Sequence, residues 1–118
     1  MAKLNTKVKL YLEANSKIWE DEKPNLSLQN NSDGAGPFIA SWNVSGLAEP
    51  TAEQLATYES AATTEENNNI TRGIRRNAYG DIGDQLDLIY KDIVAGKLDT
   101  SGEWAKKVKA VKDANEKE

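Results

Sequence analysis

The sequence predicts an α+β protein in which a small antiparallel β unit, residues 1–48, precedes a helical region, residues 49–118, that ends in a helical hairpin. Three observations predict this order: alternating apolar residues near the N-terminus, two capping-box patterns after residue 50, and one amphipathic stripe near the C-terminus. Because 118 residues supply only one modest core, the two regions are expected to fold as one cooperative unit.

The N-terminal region contains three runs with the period of a half-buried strand. Residues 7–13 place Val8, Leu10 and Leu12 on one face, and "NLSLQN" alternates in the same way. The third run, "PFIASWNV", is expected to share one face through Phe38, Ala40, Trp42 and Val44. Between the second and third runs, "NNSDGAGP" is rich in turn residues and predicts a hairpin. A sheet of about three short strands needs a helix or a partner to cover it.

A connecting helix follows the β unit. Thr51 precedes Gln54 by three residues, which is the spacing of a capping box, so the helix is expected to begin near Thr51. Its apolar face is thin, and "TTEENNN" has poor helix propensity. The sequence leaves two alternatives, a long helix supported by a partner or two helices with a soft joint.

The stretch "DIGDQLDLIYKDIVAG" predicts an amphipathic helix. Its apolar stripe consists of Ile82, Leu86, Ile89, Tyr90 and Ile93. The remaining surface is assigned to Asp84, Gln85, Asp87, Lys91 and Asp92. Asp81 is expected to cap the start of the helix and Gly96 to terminate it.

The last helix is predicted from "TSGEWAKKVKAVKDA", where Thr100 and Glu103 have capping-box spacing. Its apolar face contains Trp104, which is expected to pack near Ile89 or Ile93 in a helical hairpin.

The composition excludes several classes of function. The chain contains no Cys and no His, which argues against thiol nucleophiles, histidine bases and most transition-metal sites, so no cofactor is expected. A net charge of -4 argues against nucleic acid as the primary ligand. No run resembles a signal peptide or a membrane span, so synthesis in a cytoplasm without membrane contact is expected.

Three candidate sites have simpler structural interpretations. Asp84 and Asp87 are three residues apart and could act as an acid/base pair, but carboxylates on the solvent side of a helix usually serve capping and solubility. The "NNSDGAG" segment lacks the ligand pattern of an EF-hand and is better explained as a turn. Trp19, Trp42 and Trp104 are expected to supply core volume in a protein with one Phe.

The basic cluster "RGIRR" contains Arg72, Arg75 and Arg76. These arginines could contact nucleic acid, an acidic partner, or the aspartates of the following helix at positions 81, 84 and 87. An ion pair within the chain or between subunits is the expected use.

Two sequence blocks carry a resemblance to a known group of proteins. The first is "FIASWNVSGLAEPTAEQL", and the second is "RRNAYGDIGDQLDLIYKDI" followed by the Trp-bearing "SGEWAKKVKAVKDA". Together they resemble small proteins encoded in the tail or tail-fibre region of tailed bacteriophages and prophages, over roughly residues 26–113. Related sequences commonly have Pro directly after the Tyr, whereas this chain has Gly80 after Tyr79.

The resemblance implies a non-catalytic virion protein of the tail, baseplate or fibre-attachment region that binds other phage proteins, with further copies of itself as an additional candidate partner. One alternative is a tail-fibre assembly chaperone that is absent from the mature particle, and another is a carboxylate-dependent glycan-cleaving enzyme. The residues expected to mediate partner binding or packing are Trp42, Arg72, Arg75, Arg76, Tyr79, Ile82, Asp84, Gln85, Leu86, Asp87, Ile89, Tyr90, Ile93 and Trp104.

Overall fold

A computed structural model describes all residues from Met1 to Glu118. Six helices, one 3₁₀ turn and two strands follow one another in the order α1 (Leu4–Ala14), α2 (Trp19–Glu22), the 3₁₀ turn (Lys23–Asn25), β1 (Leu26–Gln29), β2 (Phe38–Trp42), α3 (Ala52–Ala56), α4 (Glu59–Tyr79), α5 (Ile82–Val94) and α6 (Glu103–Ala114). The predicted α+β class, with an early antiparallel sheet and helices toward the C-terminus, is confirmed.

The chain divides into two compact units, residues 1–66 and residues 67–118. The first contains the sheet with α1, α2 and α3, and the second contains α5 and α6. Helix α4 includes the boundary, because it begins at Glu59 and ends at Tyr79.

The predicted hairpin is confirmed, but the sheet has two strands rather than three. Strands β1 and β2 pair antiparallel, and the loop between them is tightened by the Asn30 and Asp33 side chains, which accept hydrogen bonds from backbone N–H groups two residues ahead. Pro24 and Pro37 precede the two strands, where a missing backbone donor is tolerated.

The predicted inward face is confirmed for Trp42 and Val44 but is wrong for Phe38 and Ala40, because a β-bulge shifts the register of β2. Leu28 pairs with Ile39 while Ser27 pairs with Ser41, so Ala40 is the extra residue. The bulge turns Ile39 toward the core, whereas Phe38 is 39% exposed.

Residues 7–13 form part of helix α1 rather than the predicted first strand. Their apolar residues fit two periods, and the helical one places Leu4, Val8, Tyr11 and Leu12 on a single face at i, i+4, i+7 and i+8. Val8, Tyr11 and Leu12 on that face are buried. Helix α1 therefore supplies the cover that a small sheet requires.

The core of the first unit lies between α1 and the hairpin. Its buried members are Val8, Leu12, Leu26 and Val44. The half-buried side chains around them are Leu4, Trp19, Leu28, Ile39, Trp42, Leu47 and Leu55. The Tyr11 hydroxyl donates a 2.8 Å hydrogen bond to the Ala48 carbonyl, which ties α1 to the segment that enters α3.

The predicted capping box at the start of α3 is confirmed, with reciprocal hydrogen bonds between Thr51 and Gln54 of 2.8 and 3.1 Å. Helix α3 ends at Ala56, and α4 begins at Glu59, so the connecting region consists of two helices. The joint lies before "TTEENNN", which is helical within α4. The first turn of α4 is anchored by Glu59, whose Oε2 accepts a 2.6 Å hydrogen bond from the backbone N–H of Ala2. This bond lowers the pKa of Glu59. The charge of Lys7 also lowers it, whereas partial desolvation of the carboxylate opposes both effects.

Helix α5 begins and ends where the sequence predicts. Asp81 occupies the N-cap position, although its side chain makes no capping hydrogen bond. At the other end the N–H groups of Gly96 and Lys97 bond to the carbonyls of Ile93 and Asp92, and Gly96 has a φ of 69°, which together form a Schellman motif.

Candidate interaction surface

The most conspicuous surface of the second unit is an apolar face on α5. Six of the chain's eleven exposed large hydrophobic residues lie between positions 82 and 98. We define the α5 face by these residues and their exposed fractions: Ile82 (70%), Leu86 (57%), Tyr90 (67%), Ile93 (55%), Val94 (70%) and Leu98 (54%). Contiguous exposed apolar side chains of this kind are typical of interaction sites.

Helix α5 has a second side, which packs against α6. Gln85, Leu88 and Ile89 are half-buried there and Asp92 is buried. Of the five residues in the predicted stripe, Ile89 is thus the one that turns partly toward the protein, while the other four belong to the α5 face. Val94, the last residue of α5, and Leu98, in the loop that follows, extend the face beyond the predicted stripe, and their apolar character was the available sequence signal.

The side of α5 that packs against α6 is held by a carboxylate cap. Asp92 is 4% exposed, and its two oxygens accept hydrogen bonds from the backbone N–H groups of Glu103 (3.0 Å) and Trp104 (2.9 Å), the first two residues of α6. The prediction that Asp92 lies on the outer surface is therefore wrong. The predicted Thr100 cap is also wrong, because Gly102 occupies the N-cap position and Asp92 supplies the acceptor.

Gly102 is required by this arrangement. A Cβ at position 102 would lie 2.6 Å from Oδ2 of Asp92 and even closer to the Lys97 carbonyl oxygen, well within the van der Waals contact distance of both atoms. The connecting loop is further ordered by Asp99, which accepts hydrogen bonds from the Ser101 hydroxyl (2.6 Å) and backbone N–H (2.8 Å). These bonds, the hydroxyl bond foremost, lower the pKa of Asp99.

The arginine cluster does not pair with the aspartates of α5, so the expected ion pair within the chain is not formed. Arg75 instead donates to two carbonyls at the end of α6, with its Nε 2.6 Å from the oxygen of Asn115 and its Nη2 3.3 Å from the oxygen of Lys112. A guanidinium at this position satisfies terminal carbonyls and complements the negative end of the helix dipole. Arg72 donates to the Asn69 side chain, and Arg76 is exposed.

Exposed charged residues lie beside the α5 face along its length. Asp84 and Asp87 lie in the N-terminal half of the helix, whereas Lys91 and Lys97 lie toward its C-terminal end. All four are exposed, and none forms an ion pair within the chain.

The other candidate residues occupy separate environments. Trp42 belongs to the first unit, where its indole N–H donates a 2.8 Å hydrogen bond to the Leu47 carbonyl. In the second unit, Tyr79 and Trp104 are half-buried, and Gln85 donates to the Gly80 carbonyl. Trp42 is thus a core residue of the hairpin unit, and it is not part of the α5 face.

The first unit has a smaller apolar feature beside the hairpin. A groove of about 310 Å³ lies between the start of α1 and the ends of the two strands. It is lined by Lys3, Leu4, Asn5, Leu28, Gln29, Asn30 and Pro37. Since the sheet has only two strands, each strand also has one edge without a strand partner.

No helix has the length and apolar character needed to cross a bilayer, and no cluster of three or more acidic side chains is arranged to hold a metal ion.

The family model of the XkdW protein matches residues 22–67. The match indicates a phage-associated protein. It covers the hairpin, α3 and the beginning of α4, and therefore includes the first of the two sequence blocks that resemble phage proteins. The second block and the α5 face lie outside the match. No curated protein and no solved structure gives a significant match to the chain.

Proposed function

We propose that this phage-associated chain is a non-catalytic structural protein of the phage particle, placed in the tail, baseplate or fibre-attachment region and acting through protein–protein contacts. The observation that carries the proposal is the α5 face, where six large apolar side chains are each more than half exposed. Burying such side chains stabilises an assembly by about 25 cal/mol for each Å² removed from water.

The hairpin unit supplies a second surface for assembly. Its strand edges carry unpaired backbone groups, and the groove beside them is lined by Leu4, Leu28 and Pro37. An extended segment of another phage protein can add to such an edge and place an apolar side chain in the groove. A chain with one helical face and one sheet edge is suited to joining two neighbours within a particle.

The enzymatic alternative has less support from the geometry. Asp84 and Asp87 lie on the exposed surface of α5, where water surrounds both carboxylates. Acid/base catalysis needs carboxyl groups whose environments separate their pKa values. Their position beside the α5 face is better explained by solubility and by contacts at the rim of an interface.

Purified particles provide the test. Particles from cells that carry the encoding phage genome are purified, and this chain is quantified by mass spectrometry against the major tail protein. A fixed ratio across preparations supports a structural component. Absence from particles, together with co-purification with free fibre protein, overturns this proposal in favour of the assembly chaperone.

Two matched variants link the result to the α5 face. Leu86→Lys places a charge in the centre of the face, whereas Ile70→Lys places the same charge at an apolar position of α4 with a similar exposure of 62%. We expect Leu86→Lys to lower incorporation into particles and Ile70→Lys to leave it unchanged. Equal incorporation of both variants would remove the α5 face from the proposal.

A further inference from the structure

We propose that the α5 face binds the α5 face of a second copy of this chain, with the two helices antiparallel. The inference rests on the proposed function, since it names the partner of the surface to which that function is assigned. It leaves the hairpin edge and groove for a different phage protein. A twofold axis would make the contact isologous, so that each copy contributes the same residues.

The spacing of the apolar residues positions that axis. In an antiparallel pair, a residue lies opposite the one that is equally distant on the other side of the axis. An axis near position 88 places Leu86 opposite Tyr90 of the second copy and Ile82 opposite Ile93 or Val94 of the second copy. Successive residues of a helix are rotated by about 100°, and the spacing of these apolar residues therefore brings them all to one side of α5. They can meet the second copy along one seam.

The charges beside the face favour the same arrangement. Asp87 and Lys91 lie one helical turn apart on one flank of the seam, and their midpoint is position 89, within about 1.5 Å along the helix of the axis set by the apolar residues. The antiparallel pair therefore brings Asp87 of each copy toward Lys91 of the other, twice in each dimer. A parallel pair related by a twofold axis along the helices would put the two copies of this flank on opposite sides of the seam, so neither Asp87 nor Lys91 would meet an opposite charge from this pair.

The area of the face is close to what a dimer requires. With the exposed fractions given above, the six residues present roughly 700 Å² per copy, and a standard protein interface buries about 800 Å² on each partner. Asp92, which holds α5 to α6, lies on the other side of α5, and Gly102 belongs to the N-cap of α6. Dimerisation is therefore compatible with the fold, and variants of the face can be made without removing its internal contacts.

Sedimentation equilibrium of the 118-residue chain tests the inference, over roughly 1 to 500 μM. We expect a reversible monomer–dimer equilibrium. Asp87→Lys or Lys91→Asp alone should raise the dissociation constant roughly tenfold, because each replaces two attractive contacts with two repulsive ones. The double variant Asp87→Lys/Lys91→Asp restores the opposite charges, and its dissociation constant should return to within about threefold of the original. Circular dichroism checks that all three variants remain helical.

The orientation is tested by cross-linking, which is straightforward because the chain has no Cys. Ile82→Cys mixed with Val94→Cys should form mixed disulfides more efficiently than either variant forms with itself, because the antiparallel pair places these positions opposite each other and separates identical positions by about 18 Å along the helices. Preferential self-linkage of each variant would overturn the antiparallel arrangement. A chain that stays monomeric throughout the range, or a double variant as weak as the single ones, would overturn the dimer.

The failure of this inference is distinguishable from the failure of the proposed function. A monomeric chain found in particles at a fixed ratio refutes the self-association and keeps the structural role. A dimeric chain that is absent from particles refutes the structural role and keeps the self-association.

Discussion

The cap that Asp92 provides for α6 can be removed by a single substitution. In Asp92→Ala, the N–H groups of Glu103 and Trp104 lose the two oxygens that accept their hydrogen bonds. Hydrogen bonds to a charged group contribute about 1.5–3 kcal/mol each, and loss of an N-cap costs about 0.5–2 kcal/mol. The first turn of α6 can fray, and its free N–H groups then bond to water. We therefore expect the free energy of unfolding to fall by about 2–4 kcal/mol, less than the sum of the separate contributions.

Two further variants refine the magnitude. Asp92→Asn keeps one acceptor oxygen but turns an NH₂ group toward an N–H donor, so about half of the loss is expected, about 1–2 kcal/mol. Gly102→Ala forces a Cβ against the Lys97 carbonyl and should also destabilise the second unit although it removes no hydrogen bond. Asp84→Ala is the matched control, because Asp84 is exposed on the same helix, and a change within about 0.5 kcal/mol is expected.

The assay is urea unfolding followed by ¹⁹F NMR of chains labelled with fluorotryptophan. Trp104 is the one tryptophan of the second unit, while Trp19 and Trp42 report on the first. We expect the folded-state resonance of Trp104 to be half lost at a lower urea concentration in Asp92→Ala than in the unchanged chain. An unfolding midpoint for Asp92→Ala equal to that of Asp84→Ala would refute the assignment of Asp92 as the cap of α6.

Three other outcomes are expected from local contacts. The pKa of Glu59 is lowered below 4.5 by its bond from the N–H of Ala2, so this contact stabilises the fold above pH 4.5 and the stabilisation is lost as the pH falls through the lowered value. Glu59→Gln should therefore reduce the unfolding midpoint at pH 7, and the difference should vanish under acidic conditions; a difference that does not vary with pH would contradict this reasoning. Tyr11→Phe removes the hydroxyl that donates to the Ala48 carbonyl, so the free energy of unfolding measured in urea should fall by about 0.5–1.5 kcal/mol. An unchanged free energy of unfolding would mean that water fully replaces the bond. Arg75→Gln should speed amide hydrogen exchange in the last turn of α6 but not in its first turn, and uniform exchange along α6 would argue against a local role.

Features that depend on neighbouring residues in the chain could be predicted from the sequence. The hairpin turn, the Thr51 capping box and the end of α5 at Gly96 were all predicted, because each is formed by residues a few positions apart. The stripe on α5 was predicted for the same reason, since its period is an intrinsic property of the helix. The sequence therefore specified which side chains of α5 share a face.

The tertiary structure decided what lies against those faces. Residues 7–13 fit a strand and a helix equally well by pattern, and the need of the hairpin for a cover selects the helix, in which Val8 and Leu12 are buried. Asp92 is eleven residues from Glu103, and no local pattern shows that its carboxylate caps another helix. The same packing leaves Leu86 and Tyr90 in solvent and turns Ile89 inward. Periodicity assigns a residue to a side of a helix, whereas only the packing of distant segments determines which side is buried.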